Sequence, residues 1–249
     1  THPPIADALP ELERAVKDVI TRRGKLIIPS FAVGRTQEIV YCLNELITAG
    51  RIPSIPVYVD SPLAVNVTTA FREHPECYDA ETAAIVARDP DGDPFGFKRL
   101  TYVREATDSK KLNDLDGPFI IISASGMCEN GRILHHLRHS IGDPRNLILF
   151  VSFQAPNTLG RKILDGEPYV KILGDEFKVT AEVRKIESFS GHADRNDLLA
   201  WVKPQIKNLR GIYLVHGEIE PMKALAESLT GAGARSVEMP ARGENRSLA

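Results

Sequence analysis

The chain has 249 residues, 43% of them hydrophobic, so it can bury a sizeable core as one large domain or two smaller ones. Its 31 basic and 33 acidic side chains give a formal net charge of −2, which excludes the global basic field of a protein that coats nucleic acid. The odd number of cysteines, three, argues against a disulfide framework, and no signal peptide or membrane-spanning apolar run is visible. We therefore expect a cytoplasmic protein without membrane contact.

Short β-branched runs alternate with segments of helical period over the first two thirds of the chain, which is typical of a parallel sheet flanked by helices. A first helix shows an apolar face from Leu12 to Ile20, and we expect Gly24 just past its end. The predicted strands are 25–28, 57–59, 100–103, 119–122 and 147–151, and the predicted helices include 36–49, about 108–115 and 131–140.

Beyond about residue 168 the strands follow one another directly, and we place a domain boundary there. The predicted elements of this part are strands 170–173, 176–179 and 183–189, helix 194–202, strand 212–215 and helix 221–229. The first four residues contain no initiator Met, as expected if a longer chain continues upstream.

Three turns between a predicted strand and the next helix contain small residues, which leave backbone N–H groups accessible, and each is followed by the positive end of a helix. The alternative is that Ser and Gly are simply good turn and cap residues. In an open parallel sheet all three turns would lie at the carboxyl ends of the strands, where ligands bind. The candidate phosphate contacts are Ser30 with Arg35, Ser125 and Gly126 with Arg132, and Ser152 with Thr158.

One predicted helix contains His135, His136 and His139 after Arg132. Their spacing of three and four residues could place two imidazoles on one face for a metal ion. We favour a solvated or weakly phosphate-facing helix, because no carboxylate or cysteine completes a site. Arg132, at the start of the helix, is the better functional candidate.

His192 and His216 each follow a predicted strand, and a single helix joins the two strands. A lone histidine at a strand end is usually a structural hydrogen-bonding group. If these strands are neighbours in one sheet, the two imidazoles come close together, and metal or phosphate chemistry becomes the better explanation.

At this point the sequence resembles the β-CASP ribonucleases of the metallo-β-lactamase superfamily. Ser190-Gly191-His192-Ala193-Asp194 looks like their second signature, and Val215-His216-Gly217-Glu218 looks like their third. Four further segments match family patterns in the same order, so that the resemblance runs from about residue 25 to residue 218. They are Gly34-Arg35-Thr36-Gln37-Glu38, Asp60-Ser61-Pro62, Ala124-Ser125-Gly126-Met127 and Gly160-Arg161.

The resemblance implies a Rossmann-like α/β fold with an open parallel sheet, the β-CASP domain, at residues 1–167. Residues 168–249 would then be the C-terminal return segment of a metallo-β-lactamase αββα domain. It also implies a phosphodiesterase with two zinc ions that acts on RNA, with relatives that act on DNA. His216 would be a zinc ligand, and His192 would contact the scissile phosphate and act as a general acid. Flanking phosphates would be held by Ser30, Arg35, Ser125, Gly126, Arg132, Ser152 and Thr158.

Two departures from the family pattern limit these expectations. The metal motif His-x-His-x-Asp-His is absent, as are the further metal ligands and the first acidic signature, and we expect all of them before Thr1. Pro156 and Asn157 replace the Glu-Gly pair expected before Thr158.

Three functions follow for the chain. We favour a portion of an active zinc ribonuclease that is inactive alone, with RNA and the missing N-terminal segment as partners. The others are a non-catalytic nucleic-acid or phosphate-binding module, and a pseudo-enzyme subunit that scaffolds an RNA-processing complex. Retention of both His192 and His216 argues against the pseudo-enzyme, whereas homodimerisation and the choice between RNA and DNA stay open.

Overall fold

Short apolar runs form the strands of this protein, and amphipathic segments form its helices. A computed structural model describes residues 7–87, 92–189 and 191–246. The strands in these ranges are β1 (Lys25–Pro29), β2 (Val57–Asp60), β3 (Leu100–Tyr102), β4 (Phe119–Ser123), β5 (Leu147–Phe150), β6 (Tyr169–Ile172), β7 (Asp175–Lys178), β8 (Glu182–Lys185), β9 (Ile212–Tyr213) and β10 (Val237–Glu238). The α-helices are α1 (Ala8–Arg22), α2 (Arg35–Thr48), α3 (Pro62–Glu73), α4 (Ala80–Val86), α5 (Ala106–Asn113), α6 (Ile133–Ser140), α7 (Leu159–Leu164), α8 (Arg195–Val202) and α9 (Ile219–Gly231). None of these described helices is long and apolar enough to cross a membrane.

Six strands form one parallel sheet in the order β3-β2-β4-β1-β5-β8. Near its centre, Ile27 of β1 aligns with Ile121 of β4 and with Ile148 of β5. β4 and β5 are buried along their whole length, because a parallel sheet has both faces covered. The open parallel sheet predicted from the alternating sequence pattern is confirmed.

The side chains of each central strand alternate between two hydrophobic cores, one on each face of the sheet. Leu26 and Ile28 point into a core built with α1 and α2. Ile27, between them, points into a core built with α5, α6 and α7. Since the strands are parallel, their carboxyl ends meet at one edge of the sheet, and packing on both faces fixes the turns that leave that edge.

Gly24 follows α1 for a reason different from the predicted one. The residue with left-handed backbone at the helix end is Arg23, with φ 53°. A Cβ atom on Gly24 would lie 1.9 Å from the backbone oxygen of Arg145. Glycine is therefore required here by the close approach of two backbone segments, and not by a helix-ending conformation.

After residue 168 the strands follow one another directly, as predicted. β6 and β7 form an antiparallel hairpin, and β8 returns to the central sheet beside β5. The described residues up to Phe189 therefore form one compact unit, and those from Gly191 onward form a second. The boundary that we placed between residues 167 and 168 falls inside the first unit, because β8 pairs with β5. The division into a β-CASP domain and a return segment, which the family resemblance implies, stays a prediction.

The unit from Gly191 onward contains α8, β9, α9 and β10. β9 and β10 are parallel, with Ile212 opposite Val237. Val202 and Leu229 contribute to its small hydrophobic core. Both histidines of the predicted signatures belong to this unit.

Candidate functional site

Three turns with predicted phosphate contacts leave the same edge of the central sheet. They follow β1, β4 and β5, which are neighbouring parallel strands. In open α/β sheets this is the edge at which ligands bind. We refer to the turns of residues 30–35, 124–132 and 152–158 as the carboxyl edge.

Gly126 is the point at which these turns touch. A Cβ atom at this position would lie 3.2 Å from the backbone nitrogen and from the ring Cδ2 of Phe31, and 3.2 Å from Ser152 Oγ. The amide nitrogen of Gln154 fixes the arrangement by donating hydrogen bonds to the carbonyl oxygens of Gly126 (2.9 Å) and Ser152 (3.1 Å). Gln154 was absent from the predicted site residues, although its place two residues after Ser152 at a strand end could have indicated it.

The hydroxyl of Ser152 is the clearest ligand donor at the carboxyl edge. Its oxygen is buried and has no hydrogen-bond partner in the described part of the chain. A buried polar group without a hydrogen-bond partner costs roughly 1–3 kcal/mol of stability. We therefore expect the Ser152 hydroxyl to donate to an acceptor on a bound ligand. Gly126 has no side chain beside this hydroxyl. A phosphate oxygen that lies next to the backbone of Gly126 would therefore be a suitable acceptor.

Arg35 offers a second buried donor. Its guanidinium group forms an ion pair with Glu38 and lies over the ring of Phe189, with the guanidinium carbon 5.4 Å from the ring centre. Its Nε is buried and has no hydrogen-bond partner among the described residues. Burial raises the pKa of Glu38, and the charge of Arg35 offsets that effect only in part. The Nε–H of Arg35 thus lacks a hydrogen-bond acceptor within the described residues.

Ser30 and Ser125 use their hydroxyls within their own turns. Ser30 is fully buried, and its Oγ lies 3.1 Å from the hydroxyl oxygen of Thr36, within hydrogen-bonding distance. Ser125 Oγ accepts a hydrogen bond from the backbone N–H of Glu129 at 3.2 Å. Both side chains therefore shape the carboxyl edge, and their direct phosphate contacts stay predictions.

Thr158 precedes α7 and caps it. Its hydroxyl oxygen accepts a hydrogen bond from the backbone N–H of Arg161 at 3.2 Å. The N–H of Leu159 donates to a carboxylate oxygen of Glu129 at 2.7 Å. A carboxylate of the protein thus already lies at this helix start, where the predicted phosphate would bind. The contact predicted for Thr158 gains no support from the structure.

Arg132 is bound to the protein interior. Its Nη1 donates to Asp60 Oδ1 at 2.7 Å, and its Nη2 donates to the backbone oxygen of Arg104 at 2.6 Å. Asp60 is fully buried and ends β2. The guanidinium group therefore ties the start of α6 to β2 and to the segment after β3, and the phosphate contact predicted for Arg132 gains no support.

His136 is buried, so the expectation of a solvated helix face is wrong at this residue. Its Nε2 lies 2.6 Å from Asp60 Oδ2, and its Nδ1 lies 2.9 Å from Asn113 Oδ1. The hydroxyl of Ser109 donates to the same oxygen of Asp60 at 2.5 Å. We refer to Asp60, Ser109, Asn113, Arg132 and His136 as the Asp60 cluster. The cluster allows an imidazole on the packed face of α6, because its partners satisfy both ring nitrogens.

The carboxylate of Asp60 is ionised at neutral pH. Burial acts to raise its pKa, but hydrogen bonds from His136, Ser109 and Arg132 outweigh burial, and the pKa lies below its ordinary value. A buried charge is tolerated in proteins when it is paired and hydrogen-bonded, as here. The Asp60 cluster is therefore a structural unit that holds α5 and α6 to the end of β2.

The other two histidines of α6, His135 and His139, are exposed, as expected for a solvated helix face. His139 Nδ1 lies 2.8 Å from the backbone oxygen of His135. Within the described ranges, no group of three or more His, Cys, Asp or Glu side chains could hold a metal ion. These residues do not by themselves fit a zinc site.

His192 and His216 are both exposed. His192 precedes α8, which begins with a capping box formed by Asp194 and Asp197. His216 lies between β9 and α9 and has φ 62°. A left-handed backbone at a residue other than glycine costs on the order of 1–3 kcal/mol, and such residues cluster at functional sites.

The strands that precede the two histidines are not neighbours in one sheet. β8 belongs to the central sheet, whereas β9 pairs with β10. The condition under which adjacent strands would bring the imidazoles of His192 and His216 together is therefore not met, and their pairing stays a prediction. Ser190, which begins the second signature, lies outside the described residues.

Comparison with known families identifies the first part of the chain. The Beta-Casp domain model matches residues 36–163, slightly more than half of the 249 residues. The chain belongs to the β-CASP family. A second model, the Zn-dependent metallo-hydrolase RNA specificity domain, matches residues 176–240, which include His192 and His216. The family predicted from the motifs is thereby confirmed.

Curated relatives extend the similarity over most of this β-CASP chain. It is 37% identical over 233 residues to Ribonuclease TTHA0252 of Thermus thermophilus, which covers 93% of this chain and 52% of the relative. It is 32% identical over 233 residues to the transcription termination factor FttA of Methanosarcina mazei, covering 92% of this chain and 36% of the relative. FttA of Thermococcus kodakarensis is 34% identical over 233 residues, and this match covers 91% of this chain and 35% of the relative. The chain thus spans about half or less of the length of these relatives.

The departure from the β-CASP pattern at Pro156 and Asn157 leaves the local turn intact. Asn157 adopts φ 69°, a left-handed conformation that asparagine tolerates better than most residues. Asparagine can therefore stand where the family pattern has glycine, and Thr158 still caps α7.

Proposed function

We propose that this β-CASP chain is the substrate-binding and part-catalytic portion of a zinc-dependent ribonuclease that hydrolyses phosphodiester bonds in RNA. The meeting of three strand-end turns at Gly126, beside the unpartnered hydroxyl of Ser152, carries the proposal. A relative named as a ribonuclease supports nuclease chemistry. The description of the family that matches residues 176–240 supports both zinc and RNA.

Each side chain has a defined task in this proposal. Ser152, the backbone at Gly126 and Nε of Arg35 hold phosphates of the RNA at the carboxyl edge. His192 contacts the scissile phosphate and donates a proton to the leaving oxygen, for which it must be protonated near neutral pH. His216 is one zinc ligand, and the remaining ligands belong to another segment of a longer protein.

A second candidate is a non-catalytic module that binds nucleic acid or phosphate, alone or as a scaffold subunit. It is favoured by the lack of any three grouped metal-binding side chains in the described ranges. The upstream reading frame distinguishes the two candidates. An intact His-x-His-x-Asp-His motif there supports the nuclease, and its loss leaves the binding module.

Ser152→Ala is expected to weaken the binding of single-stranded RNA by this chain about tenfold, the effect of losing one hydrogen bond to a charged group. Fluorescence anisotropy with a labelled oligonucleotide measures the change. Thr21→Ala is the matched control, because among the described residues the Thr21 hydroxyl donates to the backbone of α1, near the opposite edge of the sheet. Equal affinities for Ser152→Ala and the wild type would remove Ser152 from the phosphate site.

Zinc titration of the chain is expected to show weak binding at most, because one ligand at His216 cannot hold the ion tightly. Isothermal titration calorimetry measures this, with His216→Ala as the comparison. Tight stoichiometric binding that survives His216→Ala would show that the metal ligands have been misassigned.

A further inference from the structure

Two exposed phenylalanines adjoin the candidate phosphate site. Phe31 is 41% exposed and Phe153 is 51% exposed, although large apolar side chains are usually buried. Phe31 follows β1 and Phe153 follows β5, and these strands are neighbours. Both rings therefore project from the carboxyl edge that contains Ser152.

The backbone that carries each ring is held in place. The carbonyl oxygen of Phe31 accepts a hydrogen bond from the hydroxyl of Thr36 at 2.8 Å. The carbonyl oxygen of Phe153 lies 3.2 Å from the side-chain nitrogen of Gln154, which is itself bound to the carbonyl oxygen of Gly126. The rings are thus displayed on fixed turns, so that little ordering is required when a ligand packs on them.

At this edge an aromatic ring and a hydrogen-bond donor for phosphate lie close enough together to contact the same nucleotide. The Cδ2 atom of Phe31 and Oγ of Ser152 both lie 3.2 Å from the Cβ position of Gly126. Each nucleotide of a single strand presents one phosphate and one flat base, and bases stack on exposed aromatic rings with little dependence on sequence. In a duplex the base faces are already stacked on one another.

We propose that Phe31 and Phe153 are stacking platforms for the bases of single-stranded RNA whose phosphates bind at Ser152 and Gly126. The inference rests on the proposed function for its phosphate contacts and adds two aromatic side chains that bind the bases. A segment of protein could instead cover these exposed rings. Leucine and tryptophan variants distinguish that outcome from base stacking, because only tryptophan keeps an aromatic face.

The test measures the affinity of the 249-residue chain for three labelled ligands by fluorescence anisotropy: a short oligouridylate, a duplex of equal length, and a strand of equal length without bases. Phe31→Ala and Phe153→Ala are each expected to weaken oligouridylate binding roughly 5- to 100-fold. Neither should change binding of the strand without bases, which Ser152→Ala should weaken. Duplex should bind more weakly than oligouridylate.

Substitutions that keep the apolar volume separate stacking from simple hydrophobic cover. Phe153→Trp should retain oligouridylate affinity, whereas Phe153→Leu should lose it, because leucine has no aromatic face. Tyr169→Ala is the matched control, since Tyr169 is an aromatic residue of β6 that is 52% exposed, away from the carboxyl edge.

Three results would overturn the inference: wild-type affinity in Phe31→Leu and Phe153→Leu, equal binding of oligouridylate and the strand without bases, or equal binding of single strand and duplex. If these occur while Ser152→Ala still weakens binding, stacking fails and the phosphate site stands. If Ser152→Ala changes nothing and the phenylalanine variants lose affinity, the phosphate assignment fails instead.

Discussion

Asp60→Ala is expected to destabilise the first compact unit by about 3–5 kcal/mol, the usual loss when one partner of a buried ion pair is removed. Asp60 is fully buried, and its carboxylate contacts Arg132, Ser109 and His136. Alanine would leave the charge of Arg132 without its carboxylate partner and Nε2 of His136 without its hydrogen-bond partner. The free energy of unfolding from urea denaturation, followed by circular dichroism, measures the loss.

Two other variants show whether burial or charge is responsible. Asp60→Asn keeps the volume and one acceptor oxygen, and it should destabilise the protein less than alanine does. Asp108→Ala removes an exposed carboxylate paired with Lys111, and it should cost less than about 1 kcal/mol. If Asp60→Ala cost no more than Asp108→Ala, the Asp60 cluster would not be what holds α6 to the end of β2.

The stability that Asp60 contributes should depend on pH in one direction. Its pKa in the folded protein lies below the ordinary value, because its hydrogen bonds outweigh burial. The contribution is therefore fully present above the unfolded pKa of about 3.9 and is lost as the pH falls through the lower folded pKa. The difference in unfolding free energy between the wild type and Asp60→Asn should be constant near neutral pH and shrink in acid. A difference that grew in acid would contradict the lowered pKa.

The central sheet could be predicted from the sequence because its central strands are short, continuous runs of apolar residues. Apolar runs such as Phe119–Ser123 have the period and length of buried strands, and the structure places strands there. The predicted strand before His192 extended to Phe189, but β8 ends at Lys185. The pairing of β9 with β10 rather than with β8 depends on contacts between distant residues, which one sequence does not reveal.

The candidate site was predicted only in outline for a related reason. Ser and Thr are favoured at turns and caps because their hydroxyls bond to nearby backbone, and the same hydroxyls can bind phosphate. Sequence alone therefore could not separate Ser152, whose hydroxyl is unpartnered, from Ser30 and Thr158, whose hydroxyls are used locally. The contact between His136 and Asp60 spans 76 positions, so the burial of that histidine could not be predicted from its helix.

His192→Ala is expected to slow RNA cleavage by roughly 10²-fold or more in a protein that joins this chain to a zinc-binding segment, if His192 donates the proton to the leaving oxygen. The assay follows RNA labelled at its 5′ or 3′ end, which also distinguishes internal cleavage from trimming. His139→Ala is the matched control, because His139 is an exposed histidine of α6 outside the proposed machinery.

The pH profile of cleavage separates proton donation from simple phosphate contact. A general acid must be protonated, so His192→Ala should abolish the fall in kcat/KM on the alkaline side of the profile, whereas loss of a phosphate contact alone should lower the rate at every pH. His192→Gln retains a hydrogen-bond donor but cannot transfer a proton, and it should behave like alanine. A cleavage rate within a few-fold of wild type in either variant would show that another group donates the proton to the leaving oxygen. His192 would then have no role as a general acid.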